Sequence, residues 1–174
     1  MSADFAALFA SARVDGFLHA RERTTGREIG HHSDAPVVTA SVFKLPVLVE
    51  LFRQADAGRI DLTEQVQVPV AGRAPGPTGL SQMLDPTTMS WRDLALSMMV
   101  VSDNAATDFI CAKVGLENVN AMLRAFGLSG TVVVGDCRAL FATMAADAGV
   151  KNPAEVAMPP RPALLEHLRV LAPQ

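Results

Sequence analysis

Ser41 and Lys44 stand three positions apart at the point where a long apolar segment begins. In a helix with about 3.6 residues per turn, the two side chains share a face and lie roughly 4.5 Å apart along the axis. Serine is a weak nucleophile that needs an adjacent base, and a partly desolvated lysine can act as that base. Backbone N–H groups at a helix start can also stabilise an oxyanion. The pair is therefore a candidate nucleophile and base, although serine is equally an ordinary helix cap.

A second polar group, Ser102-Asp103-Asn104, follows a strongly apolar helical run and opens another helical segment. Serine, aspartate and asparagine are all favoured N-caps, but capping explains only one of the three. In a cleft between helices, Ser102 can relay a proton and Asn104 can bind an amide or orient Lys44. Asp103 is better suited to bracing the loop. The sequence predicts that this turn and the first pair face a common pocket.

The ordered Ser-x-x-Lys and Ser-Asp-Asn motifs, with their flanks, resemble the class A serine β-lactamases and related penicillin-binding proteins. The likeness covers about residues 14–136. It implies an α/β (α+β) fold, in which a helical domain adjoins an antiparallel sheet. It also implies that Ser41 is acylated, Lys44 accepts its proton, Ser102 passes a proton to the leaving nitrogen, and Asn104 contacts substrate. The implied substrates are β-lactams or peptidoglycan-like amides, with no cofactor and no metal.

Part of the family pattern is missing. The sequence has no Lys-Thr-Gly, which in the family lies on a late strand that binds the substrate carboxylate. The second oxyanion N–H lies near that strand, and losing one such donor costs about 2.7–4 kcal/mol. We expect a single domain over residues 1–174, truncated at its C-terminus, with only the two N-terminal strands of the sheet. A lone two-stranded hairpin is marginal in water. The alternatives to truncation are that a second chain completes the sheet or that the last helix covers the gap.

The family's deacylating glutamate also has no counterpart here. No Glu occurs between residues 138 and 154, and Asp136 is the nearest carboxylate. Asp136 is a weak candidate base and is equally suited to capping a helix. We therefore expect a β-lactamase-like serine hydrolase whose turnover is weak. The alternatives are a slow-deacylating penicillin-binding or peptidase-like protein, and a non-catalytic remnant that binds a ligand or partner.

Composition narrows the class of protein further. The 15 basic and 18 acidic residues give a net charge of −3, which argues against binding nucleic acid. No apolar run reaches the roughly 18–20 residues needed to span a membrane. The N-terminus lacks the basic segment of a secretory signal. The protein as written is therefore expected in the cytoplasm, whereas the enzymes it resembles act outside the inner membrane.

The local patterns predict the elements that position these residues. Two strands flank the turn at residues 24–26, QVQVPV reads as a short strand, and TVVV at 131–134 is a further candidate strand. Adjacent histidines in a strand point to opposite faces, so His31 and His32 are not expected to bind metal together. Cys111 and Cys137 have no metal-ligand spacing and are expected to be free, buried thiols. Helices are predicted at 3–13, 42–57, 90–100, 104–114, 117–126, 138–148 and 163–172.

Overall fold

The computed structural model describes residues 4–152, and the chain divides into two compact units between Thr39 and Ala40. The first unit contains one helix and one hairpin. The second contains five helices and a second hairpin among the described residues. Both small sheets are antiparallel and two-stranded, so the expected mixture of helices with an incomplete antiparallel sheet is confirmed.

The first unit begins with helix α1 (Phe5–Ala12), which Asp4 caps by accepting a hydrogen bond from a backbone N–H. The helix ends at Ala12, and Arg13, which follows it, has a left-handed φ of 55°. Strands β1 (Leu18–Arg21) and β2 (Glu28–His31) then form the predicted hairpin. Helix α1 buries none of its residues, so this unit exposes most of its apolar side chains.

The two adjacent histidines of this unit depart from expectation. The rings of His31 and His32 stack with their centroids 4.1 Å apart, rather than pointing to opposite faces. Strand β2 ends at His31, and His32 takes a left-handed φ of 49°, which breaks the alternation of side chains. Within residues 4–152 no group of three or more His, Cys, Asp or Glu side chains is arranged to hold a metal ion.

The second unit is built from helices that agree with the predicted positions to within two residues. A 3₁₀ turn, Ala40–Phe43, leads directly into the first of them. The helices are α2 (Lys44–Asp56), α3 (Trp91–Val100), α4 (Asn104–Val114), α5 (Leu116–Ala125) and α6 (Cys137–Asp147). The helix predicted at 163–172 lies outside the described residues. None of the described helices is long and apolar enough to cross a bilayer.

A second hairpin pairs β3 (Gln65–Val68) with β4 (Thr87–Ser90). The sequence indicated β3 but not β4, because a four-residue strand that runs straight into α3 leaves no turn signal between them. The prediction of a strand at 131–134 is wrong. The Asn120 side chain bonds both the N–H and the C=O of Val133 at 2.9 Å, which satisfies this backbone without a strand partner.

The core of the second unit lies between α2, α3, α4 and α5. These helices pack together because each turns its apolar residues toward the same interior. Helix α4 contacts α2, α3, α5 and α6, and so occupies the centre. The fully buried apolar residues include Val47, Leu51, Leu94, Met98, Ala106, Ile110 and Val119. This core fixes the starts of α2 and α4, where the candidate site residues stand.

Candidate active site

Ser41 lies in the 3₁₀ turn that precedes α2, and its side chain is exposed. Its Oγ accepts a hydrogen bond of 3.0 Å from the hydroxyl of Ser102. Ala40, immediately before it, has a left-handed φ of 45°, which a residue with a Cβ rarely adopts. The backbone thus bends sharply at the candidate nucleophile and presents its hydroxyl to the turn at 102–104.

Lys44 is the first residue of α2 and only 2% exposed. Its ammonium donates to the carbonyl oxygen of Ser102 at 2.7 Å, to the Oγ of Ser102 at 2.9 Å, and to Oδ1 of Asn104 at 2.8 Å. All three donors of the ammonium are therefore used. Burial lowers the pKa of Lys44 from its usual value, and nearby acidic groups, including Asp103 and Asp108, oppose this change. The result is a lysine held in place but more easily deprotonated than an exposed one.

Ser102 connects the other two residues, since its hydroxyl bonds both Ser41 and Lys44. Its φ of 56° is left-handed, a conformation that costs a serine about 1–3 kcal/mol. This conformation lets the carbonyl and the hydroxyl of one residue reach the same ammonium. The hydroxyl of Ser102 therefore links Ser41 and Lys44 in one chain of hydrogen bonds.

Asp103 is fully buried and caps α4. One carboxylate oxygen accepts from the N–H groups of Ala105 and Ala106. The other oxygen accepts from the backbone N–H of Leu80 and the hydroxyl of Ser97, both at 2.7 Å. The residue therefore ties the site turn to α3 and to the preceding loop, and its oxygens are fully occupied by these bonds.

Gly79 is required beside this carboxylate. Its φ is 60°, and a Cβ at this position would lie 2.1 Å from Oδ2 of Asp103. A side chain would therefore be strained and would also displace the aspartate.

Asn104 faces Lys44 from the first turn of α4. Its Oδ1 accepts from Lys44, while its Nδ2 donates to the carbonyl of Pro75 at 2.9 Å. The thiol of Cys137 also approaches Oδ1, at 3.6 Å. The carboxamide is thereby held between the lysine, the loop before α3 and the start of α6.

An exposed serine hydroxyl, a bridging serine, a buried lysine and an oriented carboxamide thus meet at one point. The sequence matches the model of the β-lactamase enzyme family over residues 1–161. The chain belongs to this family. It is 32% identical to the β-lactamase regulatory protein BlaB of Streptomyces cacaoi over 134 residues, which is 76% of this chain and 43% of that protein.

Solved structures in the β-lactamase family have the same fold. The β-lactamase of Sphaerobacter thermophilus is 28% identical with a TM-score of 0.68, and the match covers 75% of this chain and 51% of that one. PBP-A is 26% identical with a TM-score of 0.64, covering 70% of this chain and 46% of that one. A variant of PBP-A has been solved as an acyl-enzyme complex with penicillin G. The chain therefore spans about half the length of the family members it matches.

The weak candidate base of this family member, Asp136, caps α6. Its Oδ1 accepts from the N–H of Ala139 at 2.8 Å. The structure thus gives this carboxylate the capping role that the sequence left open as an alternative, and it brings Asp136 into none of the hydrogen bonds around Lys44.

Asp108 is a further site-bordering residue, and the sequence reasoning missed it. It is buried on α4, one turn beyond Asn104, and its carboxylate accepts from the N–H groups of Cys137 and Arg138 at 2.7 and 3.2 Å. Burial raises the pKa of Asp108 to about 6. An acidic residue four positions after Asn104, in an otherwise apolar helix, was the available signal.

Both cysteines are free and buried, as expected. Burial raises the pKa of the Cys111 and Cys137 thiols to about 12, so both are protonated at neutral pH. At neutral pH the Cys137 thiol therefore packs beside Asn104 as a neutral group.

Proposed function

We propose that this chain is a β-lactamase-type serine hydrolase that is acylated on Ser41 by β-lactams or related amides. The observation that supports it most strongly is the buried Lys44, hydrogen-bonded to the Ser102 hydroxyl that bonds Ser41. The Ser41 oxygen attacks the β-lactam carbonyl carbon, and its proton passes through Ser102 to the neutral form of Lys44. The carbon–nitrogen bond of the ring then breaks, and Ser102 returns a proton to the nitrogen. The lowered pKa of Lys44 increases the fraction of neutral amine available for the first step.

Negative charge develops on the carbonyl oxygen during this attack, and hydrogen-bond donors are needed to stabilise it. The backbone N–H of Ser41, in the turn before α2, is the candidate donor within this chain. The second donor of the family pattern belongs to the strand that bears Lys-Thr-Gly, which this sequence lacks. We therefore expect acylation to be slower than in a chain that contains both donors, by about 10²–10³-fold.

Hydrolysis of the acyl-enzyme is the weaker half of the proposal. No Glu lies between residues 138 and 154, and Asp136 is engaged as the cap of α6. A water molecule at the ester would lack a strong base. The closest alternative is therefore a slow-deacylating penicillin-binding or peptidase-like protein that acts on peptidoglycan-like substrates.

Incubation with a fluorescent penicillin, followed by intact-mass analysis, tests acylation. We expect a one-to-one adduct on Ser41 that is absent from Ser41→Ala and Lys44→Ala and unchanged in Ser129→Ala, an exposed serine outside the site. A stable adduct supports slow deacylation, whereas rapid loss with release of product supports a β-lactamase. Equal labelling of the wild type and Ser41→Ala would exclude Ser41 as the nucleophile.

A second candidate function is regulation through ligand binding without turnover. It is favoured by the 32% identity to a protein named as a β-lactamase regulatory protein. In that case a β-lactam would bind the wild type and Ser41→Ala with equal affinity. Isothermal titration with penicillin G, paired with the mass measurement, separates the two functions.

We also propose that a further polypeptide segment covers the exposed side of α2. Three apolar side chains of α2, Leu45, Val49 and Phe52, are exposed on this side, and Val42 in the preceding turn continues their spacing of three and four residues. A helix that is apolar on both sides is normally buried. The matched part makes up only about half of each relative's length. The proposed cover is the polypeptide equivalent to the unmatched half. Supplied as a second chain, it would also complete the sheet.

Co-production of the chain with the unmatched part of the Sphaerobacter thermophilus β-lactamase tests this cover. We expect the two polypeptides to co-elute on gel filtration. Phe52→Asp should prevent co-elution, whereas Leu128→Asp, at an exposed apolar position outside α2, should not. If the wild-type chain instead dimerises alone through Phe52, a second copy is the occupant.

A further inference from the structure

The loop between β3 and β4 is organised by one arginine. Arg73 lies within it, and its guanidinium donates five hydrogen bonds of 2.8–3.0 Å to backbone carbonyl groups. The acceptors are the carbonyl oxygens of Val68, Pro69, Leu80, Met83 and Asp85. Both ends of the loop are therefore joined through a single side chain whose donors are geometrically fixed.

The same loop touches the candidate active site at two points. The carbonyl of Pro75 accepts from Nδ2 of Asn104, and the N–H of Leu80 donates to Asp103. A carbonyl can only accept, so Pro75 requires the nitrogen end of the Asn104 carboxamide. An ammonium can only donate, so Lys44 requires the oxygen end. The loop and the lysine thus select the same orientation of Asn104.

We propose that Arg73 is a positioning residue for the Ser41 site. It holds the loop closed so that the Pro75 carbonyl stays against Asn104, which keeps the Asn104 oxygen on Lys44. The inference deepens the proposed acylation, since the group it positions is the partner of the base. Among the loop's other side-chain contacts, Thr78 donates to the carbonyl of Val101 at 2.7 Å, beside the site turn, while Ser81 donates to the carbonyl of Ala74 and Gln82 to that of Gly76. These three bonds do not join the two ends of the loop, at Val68 and Asp85, which Arg73 holds together.

The variants that test this role are Arg73→Met and Arg73→Lys. Methionine keeps an unbranched apolar stem and removes every donor, whereas lysine restores charge but offers three donors without the planar fork. Arg92→Met is the matched control, because Arg92 is an exposed arginine on α3. Fluorescence of Trp91 reports whether each variant is folded, since the chain contains one tryptophan.

The first measurement is exchange of the Asn104 side-chain amide protons, followed by nitrogen-15 NMR in the absence of any β-lactam. We expect exchange at least tenfold faster in Arg73→Met, an intermediate rate in Arg73→Lys, and an unchanged rate in Arg92→Met. An unchanged rate in both Arg73 variants overturns the proposal. If Arg73→Met does not fold, Arg73→Lys against Arg92→Met decides it. This measurement does not require that Ser41 be acylated.

The second measurement is the rate of labelling by a fluorescent penicillin across pH. We expect Arg73→Met to be labelled roughly tenfold more slowly at neutral pH, with Arg73→Lys partly restored, because small displacements of a catalytic group cost this much or more. The pH profile should also shift, since Asn104 bonds the titrating lysine. Equal rates and profiles in folded Arg73 variants overturn the role in acylation. A wild type that is never labelled contradicts the proposed function instead, and leaves the exchange result to decide the positioning.

Discussion

The two units of the chain differ in what they bury. The unit that begins at Ala40 has a continuous apolar core, whereas within residues 4–39 only Gly16 is buried. An eight-residue helix and a two-stranded hairpin are each marginal in water without a packed face. All the candidate site residues lie in the unit that begins at Ala40. The proposed chemistry therefore belongs to the unit that contains the apolar core.

The strongest test of this difference is truncation of a core leucine. Leu94 on α3 is fully buried, so Leu94→Ala should lower the free energy of unfolding by about 2–5 kcal/mol through lost burial and a cavity. Urea unfolding followed by Trp91 fluorescence measures this. Leu96→Ala, on the same helix but 61% exposed, is the control and should change the value by no more than about 0.5 kcal/mol. Equal losses in the two variants would show that the core is loosely packed.

Asp103→Ala tests how much buried polar contacts contribute to the stability of the same unit. The substitution removes four hydrogen bonds from a buried carboxylate, including the cap of α4. We expect a loss of about 2–4 kcal/mol, because buried donors are left without acceptors. Asp136→Ala is the comparison, since that residue makes one capping bond, and about 1 kcal/mol is expected there. Losses of similar size would mean that the contacts of Asp103 with Leu80 and Ser97 add little.

A third effect should appear as a dependence on pH. Burial raises the pKa of Asp108 to about 6 from 3.8, so between these values the folded chain binds a proton that the unfolded chain has released. The contribution of this group to the free energy of unfolding therefore falls as pH rises from about 4 to 6, by about 2–3 kcal/mol. Asp108→Asn does not titrate. The difference between wild type and variant, measured by urea unfolding at several pH values, should decline across this window, and parallel curves would contradict the shift.

Local sequence signals predicted most of the second unit. Apolar periodicity located α2 to α6, and the two motifs placed Ser41, Lys44, Ser102 and Asn104 at element starts, where the structure brings them together. The hairpin of the first unit was also found, because its turn residues and alternation are local. These features depend on neighbours within a few positions in the chain.

Features that depend on distant residues were missed. Val133 lies in a β-branched run, but the Asn120 side chain forms hydrogen bonds with its backbone N–H and C=O. The sequence around residue 133 gives no sign of these bonds. The five carbonyl contacts of Arg73 and the buried position of Asp108 likewise come from chain segments brought together only on folding. Local propensity and spacing do not predict contacts between residues that are distant in the chain. Polar contacts of this kind are therefore seen only in the structure.

The smallest expected effect lies in the first unit and completes the comparison. Leu8 on α1 is 59% exposed, so Leu8→Ala removes little buried area and should change the free energy of unfolding by less than about 0.5 kcal/mol. Hydrogen exchange gives the matching measurement without substitution: backbone amides of β1 and β2 should exchange far faster than that of Ile110 in α4, because only the latter sits in a packed core. If the hairpin amides are protected as strongly as Ile110, the two units unfold together and the first is stabilised by more than its own contacts. Fast exchange together with a silent Leu8→Ala would instead place the folding free energy of the chain in the unit that holds Ser41.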